Sequence, residues 1–199
     1  MFTSRNRSTK LLLSLAALGV AGAMAGLGTF ASFTGSTSAS QTVASGTVTL
    51  NLGAVNRLTV GATGVAPGDT LQRAFDLTNA GSLDMASISL TSTATASSLL
   101  DTDATNGLQM VVDRCSNAWT ESGPPYTYTC SGATTTIIAS RAVIGSNLSM
   151  AGLSALTAGG TDHLRLTLTF PSAAGNTFQN QSSTLLYTFT GTQRVATSK

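Results

Sequence analysis

One glutamate and two lysines in 199 residues leave this chain without the side chains that solvate surface helices. Charged residues make up only 9% of it and hydrophobic ones 42%, with Gly, Ser and Thr filling much of the rest, a composition of strands and turns. The hydrophobic periodicity agrees. Leu164, Leu166, Leu168 and Phe170 alternate with His163, Arg165, Thr167 and Thr169, a period of two that assigns one set to a core and the other to a polar face.

Shorter forms of the same pattern recur at Val48, Leu50 and Leu52, at Leu58 and Val60, and at Leu71, Phe75 and Leu77 with Arg73 interposed. They recur again at Ala86, Ile88 and Leu90, at Leu108, Met110 and Val112, in β-branched Thr134 to Ile138, and at Leu185, Tyr187 and Phe189. Turn chemistry separates them. In Ala66-Pro67-Gly68-Asp69 the proline fixes φ and the glycine accepts a positive one, while Asn79-Ala80-Gly81 ends the strand before it. Residues 142–160 carry no regular pattern. Roughly eight to ten strands with such punctuation predict an all-β chain, a single β-sandwich of jelly-roll type.

The first ten residues hold Arg5, Arg7 and Lys10, and an uncharged apolar run follows from Leu11 to Ala31. A basic start, an apolar middle and then small residues is the layout of a secretory signal. At 1.5 Å per residue the run would also span roughly 30 Å as an uncleaved membrane anchor. Against an anchor stand Gly19, Gly22, Gly26 and Gly28, which weaken a helix. The expected cut lies at Ser32-Phe33, with Ser40-Gln41 as the alternative. This divides the chain into a signal helix (1–32), a flexible N-terminal segment (33–52) and the sandwich (53–199), and leaves membrane contact to the uncleaved signal alone.

Without the three basic leader residues, seven cations face eight carboxylates, so no basic surface remains for nucleic acid. Export also decides how Cys115 and Cys130 read. Two cysteines in an exported chain form a disulfide, here closing a hairpin that contains Gly123-Pro124-Pro125. Trp119, Tyr126 and Tyr128 lie within this loop, either as contact residues for a partner or packed beneath the hairpin.

Three segments together resemble the TasA/camelysin family of secreted bacterial proteins, whose leaders are cut by a SipW-type signal peptidase. They are Gly28-Thr29-Phe30-Ala31-Ser32-Phe33 with Ala44-Ser45-Gly46-Thr47-Val48-Thr49-Leu50, then Val65-Ala66-Pro67-Gly68-Asp69-Thr70 leading to Asp76-Leu77-Thr78-Asn79-Ala80-Gly81, and finally Asn176-Thr177-Phe178-Gln179-Asn180-Gln181 with Leu185-Leu186-Tyr187-Thr188-Phe189. The resemblance implies a jelly roll at the cell surface or in the extracellular matrix. It further implies a fibre subunit that lends its freed N-terminal segment to a neighbour's sheet, with Phe33, Val43, Val48, Leu50 and Leu52 as interface anchors. Backbone hydrogen bonds would supply the affinity and alternate side chains the register.

Camelysin-like relatives imply a surface metallopeptidase instead, and the sequence offers little for one. There is no His-Glu-x-x-His and only one histidine, His163, whereas a zinc hydrolase uses three protein ligands and a base. Alternation puts His163 on the polar face as a surface residue. A serine triad would need that same histidine, and no Gly-x-Ser-x-Gly elbow marks a nucleophile. Asp101 to Gly107 approaches a calcium loop but is one residue out of step, and Val112 stands where a glutamate is required, so an acidic turn is expected. No cofactor or metal is expected. The remaining alternative is a monomeric adhesin using the disulfide loop.

Overall fold

The alternating stretch around Leu164 becomes the middle strand of a five-stranded antiparallel sheet. The computed structural model describes residues 50–52, 65–123 and 126–196. Its strands are β1 (Leu50–Leu52), β2 (Thr70–Asn79), β3 (Met85–Ala96), β4 (Gln109–Cys115), β5 (Thr120–Ser122), β6 (Thr127–Thr129), β7 (Thr134–Ala142), β8 (Gly145–Ser149), β9 (Thr161–Thr169) and β10 (Thr184–Gln193), with a short α-helix, α1 (Leu99–Thr102), and 3₁₀ turns at Ser154–Leu156 and Asn176–Phe178. The larger sheet runs β1-β2-β9-β4-β7, a second runs β10-β3-β8, and β5 and β6 form a small hairpin.

The two larger sheets pack as a sandwich, and the alternation dictates which side chains meet. Phe75 and Leu77 of β2, Met110 and Val112 of β4, and Leu164 and Leu166 of β9 are buried against Ile88 and Leu90 of β3 and half-buried Leu185, Tyr187 and Phe189 of β10. Phe75 meets Phe189 across the interface with ring centroids 5.3 Å apart. Each fully buried side chain of this size removes enough apolar surface from water to contribute about 1.5–3 kcal/mol. The turn at Pro67 forms as its residues require: Gly68 has φ of 100°, Asp69 N–H donates to Ala66 O, and the Asp69 carboxylate accepts from Ala66 N–H.

Two expectations need correction. Ala86 is exposed and Met85 is buried in its place, because the β3–β10 register shifts between Thr192 and Gln193 and the slip turns the neighbouring side chain inward. Part of the patternless stretch 142–160 is ordered as β8, which pairs with β3 through Ser89↔Ser149 and Leu90↔Leu148. With Leu148 its only large apolar residue and Asn147 at φ 52°, it carries no alternation to read.

Asp101 is a capping residue. Ser98 caps α1 from its side chain while the Asp101 carboxylate accepts the Ser98 N–H at 2.7 Å, the reciprocal capping box. Asp103 likewise turns its oxygens onto the N–H groups of Thr105 and Asn106. Burial raises the Asp101 pKa, but hydrogen bonds from Ser183, Ser98 and Ser97 outweigh it and hold the carboxyl below its ordinary value. A lowered folded-state pKa contributes stability that is complete above the unfolded-state pKa, roughly 4, and is lost as pH falls through the folded one. Thermal melts from pH 7 to 2 should therefore show Asp101→Asn losing less stability than the wild type below about pH 4. Parallel curves would rule out this linkage.

Phe33, Val43, Val48, the Ser32-Phe33 cut, the leader and the Leu58–Val60 strand lie outside the described residues. Among those described, no helix is long and apolar enough to cross a membrane.

Candidate functional site

The features singled out in the sequence converge on the outer face and free edge of the five-stranded sheet. Cys115 ends β4 and Cys130 follows β6. They are bonded, with Cα atoms 5.7 Å apart, as expected for the two cysteines of a chain read as exported. Between them β5 and β6 pair through Thr120↔Thr129, Glu121↔Tyr128 and Ser122↔Thr127. The closed loop does not project. It folds back over the outer face of β2 and β9.

Register explains what it lands on. Arg165 at the centre of β9 lies beside Ala74 of β2 and Asp113 of β4. Its guanidinium donates to Asp113 Oδ2 at 2.8 Å and to the Tyr128 carbonyl at 3.3 Å, and it sits 4.3 Å from the Trp119 ring centroid. The Trp119 indole N–H in turn donates to the His163 carbonyl at 3.0 Å. One cation is thus shared by an anion of the sheet, a main-chain oxygen of the loop and an aromatic face of the loop. The polar face of β9, expected to meet solvent, is covered here.

Of the loop aromatics, Tyr128 is buried, Trp119 is half-buried against Arg165, and Tyr126 is 42% exposed with the Arg73 guanidinium 5.5 Å from its ring. Tyr128 N–H donates to Gln72 Oε1 at 3.2 Å and its hydroxyl donates to Glu121 at 2.6 Å. Burial pushes the Tyr128 pKa up, and the Glu121 carboxylate adds to the shift. Sequence reasoning missed Arg165, Asp113 and Gln72. The available signal was a charged residue in the middle of the most regular strand of a chain so poor in charge.

The free edge is occupied by β1. Leu50, Asn51 and Leu52 pair antiparallel with Asn79, Thr78 and Leu77, so three residues cover one end of the ten-residue β2.

His163 is not an isolated surface histidine. Its Nδ1 lies 2.6 Å from Asp76 Oδ1, tying β9 to β2. It shares a concavity of about 250 Å³ with Arg114, Ser116, Thr135, Ser154 and Asp162. Asp162 is fully occupied by the N–H groups of Ser154 and Ala155 and by Arg114. Every Asp, Glu, His and Cys of the sequence falls within 65–196, and among the described residues no three of them converge as metal ligands. With the cysteines bonded to each other, a single histidine in the sequence and no third ligand beside it among the described residues, these side chains do not gather a three-ligand zinc centre.

A search of curated proteins finds no match. The model of the camelysin metallo-endopeptidase family matches residues 8–198, almost the whole length, and the chain belongs to this TasA/camelysin family.

Proposed function

We propose that the mature chain is a secreted structural subunit, which joins its neighbours in an extracellular fibre or matrix by exchanging the strand at its N-terminal edge. The observation that carries this reading is the position of β1: a three-residue strand at a sheet edge, continuous with residues 33–49 on its N-terminal side. An edge strand is bonded to its sheet along one side only, and the pairs Leu50↔Asn79, Asn51↔Thr78 and Leu52↔Leu77 would re-form unchanged between two copies. Exchange of an identical element is a low-cost route to association, since the pairing given up within one chain is recovered between chains. Family membership supports the secreted or surface setting.

Electron microscopy of the secreted protein, with and without residues 33–52, tests the proposal. Fibres are expected only from the chain that keeps the segment, and monomers from both at high concentration across pH would overturn it. The family's description as metallo-endopeptidases makes proteolysis the competing reading. Casein digestion by the same preparation, lost on chelation and in His163→Ala, would favour that competitor.

A further inference from the structure

Residues 176–181 take no part in the disulfide-loop site, and they line a concavity of about 470 Å³ of their own. Opposite them stands the turn that carries Ala66 and Pro67, both exposed. The buried rings of Phe170 and Phe178, with centroids 5.5 Å apart and packed edge to face, close the bottom. Both walls are fixed to this base. Gly68 N–H donates to Phe170 O at 2.8 Å and Phe170 N–H to Asp69 O at 2.9 Å, which anchors the proline turn. Phe178 anchors the other wall, whose 3₁₀ turn is closed by Phe178 N–H to Gly175 O and Gln179 N–H to Asn176 O. Small-molecule sites span about 300–1,000 Å³ and are largely preformed, and this one meets both conditions.

The chemistry of the walls is uniform. Asn176, Gln179, Asn180 and Gln181 all line the concavity and are exposed, and none of these side chains has a hydrogen-bond partner among the described residues. Three of them are consecutive, whereas an extended chain would send neighbours to opposite sides. Asn180 takes φ of 58°, and this left-handed residue breaks the alternation. No Asp, Glu, Lys or Arg lines the space. A carboxamide is neutral and offers two donors and an acceptor oxygen, the complement of a hydroxyl that both donates and accepts. We infer that this concavity binds a neutral saccharide of one or two rings, its hydroxyls held by the amides of residues 176–181 and its C–H face laid against Pro67 and Ala174. An acidic ligand would find no cation here to offset its loss of water. Because both walls are anchored before any ligand arrives, little ordering opposes binding. The secreted or surface setting supported by the family brings such sugars within reach. The site does not depend on how copies of the chain associate.

Calorimetric titration of the secreted full chain with neutral trisaccharides of glucose, galactose and N-acetylglucosamine, and with trigalacturonate, tests the site. At least one neutral trisaccharide should bind and trigalacturonate should not. The affinity should be the same at low and high salt, since no charge lines the concavity. Asn176→Ala should weaken binding about tenfold, the loss of one or two neutral hydrogen bonds. Asn180→Gly, which removes the amide and tolerates the left-handed backbone, should do the same. Gln193→Ala, which removes an exposed amide of β10 outside the concavity, should leave binding unchanged. Wild-type affinity in both asparagine variants, with circular dichroism native, overturns the site. So does failure of all three neutral sugars to bind at millimolar concentration. Tighter binding of trigalacturonate would also overturn it, by assigning the surface to acidic polymers. A chain that binds a neutral sugar and forms no fibres would support this site while removing strand exchange.

Discussion

Replacing Arg165 with alanine should lower the unfolding free energy by about 3–5 kcal/mol, the loss typical when one partner of a buried ion pair is removed. The size follows from what is left behind. Asp113 has only 11% of its side chain exposed, and without Arg165 it keeps a single side-chain partner, Thr136 at 2.8 Å. The Tyr128 carbonyl and the Trp119 ring lose their cation at the same time, so the loop is untied from the sheet at two places. Urea denaturation gives the free energy, and Trp119, the only tryptophan, gives a fluorescence signal for the loop. Emission should shift to longer wavelength in Arg165→Ala even before unfolding. Arg165→Lys should recover part of the stability, because an ammonium can meet Asp113 but cannot also lie flat on the indole and reach Tyr128. A loss below about 1 kcal/mol, the range of an exposed pair, would show that solvent screens the site.

That Arg165 escaped sequence reasoning shows where periodicity stops being informative. Alternation assigns residues to two faces, and it placed Phe75, Leu77, Met110, Val112, Leu164 and Leu166 correctly in the core. It says nothing about whether the second face meets water or another layer. Here a loop fastened by a disulfide supplies that layer, so Arg165 reads as a surface position and is covered. Ala86 failed for a different reason. A register slip costs one residue of phase, and the spacing of small residues cannot reveal it.

Local hydrogen-bond chemistry was legible but easily misassigned. Ser98 and Asp101 have the spacing of a reciprocal helix cap, while the neighbouring Asp103 and Asn106 draw attention to a cation loop instead. The disulfide, by contrast, followed from the count of two cysteines and the expected export. The site was half legible on the same terms: its covalent closure and its aromatic content stand in the sequence, and its inward orientation depends on contacts between residues far apart in the chain.

The second large effect is expected at Asp162. Its side chain is 1% exposed and accepts the N–H groups of Ser154 at 2.9 Å and Ala155 at 2.8 Å, with Arg114 at 3.4 Å completing the set. These bonds fold residues 154–160 back onto the end of β9, where the chain is so close that a Cβ on Gly160 would stand 1.9 Å from the Ser154 carbonyl oxygen. Asp162→Ala leaves two N–H groups of the turn and the Arg114 guanidinium without their acceptor. Each unsatisfied buried donor costs about 1–3 kcal/mol, so the variant should lose about 3–5 kcal/mol in guanidinium denaturation. Asp162→Asn separates the contributions. The amide keeps one oxygen for one of the two N–H groups but presents its own NH₂ to the other and removes the charge facing Arg114, so it should recover only part of the loss. Equal stability of Asp162→Asn and wild type would mean that a single neutral acceptor suffices and that the ion pair contributes nothing measurable. Equal loss in the two variants would mean that one remaining neutral oxygen recovers nothing and that the site needs both carboxylate oxygens with their charge.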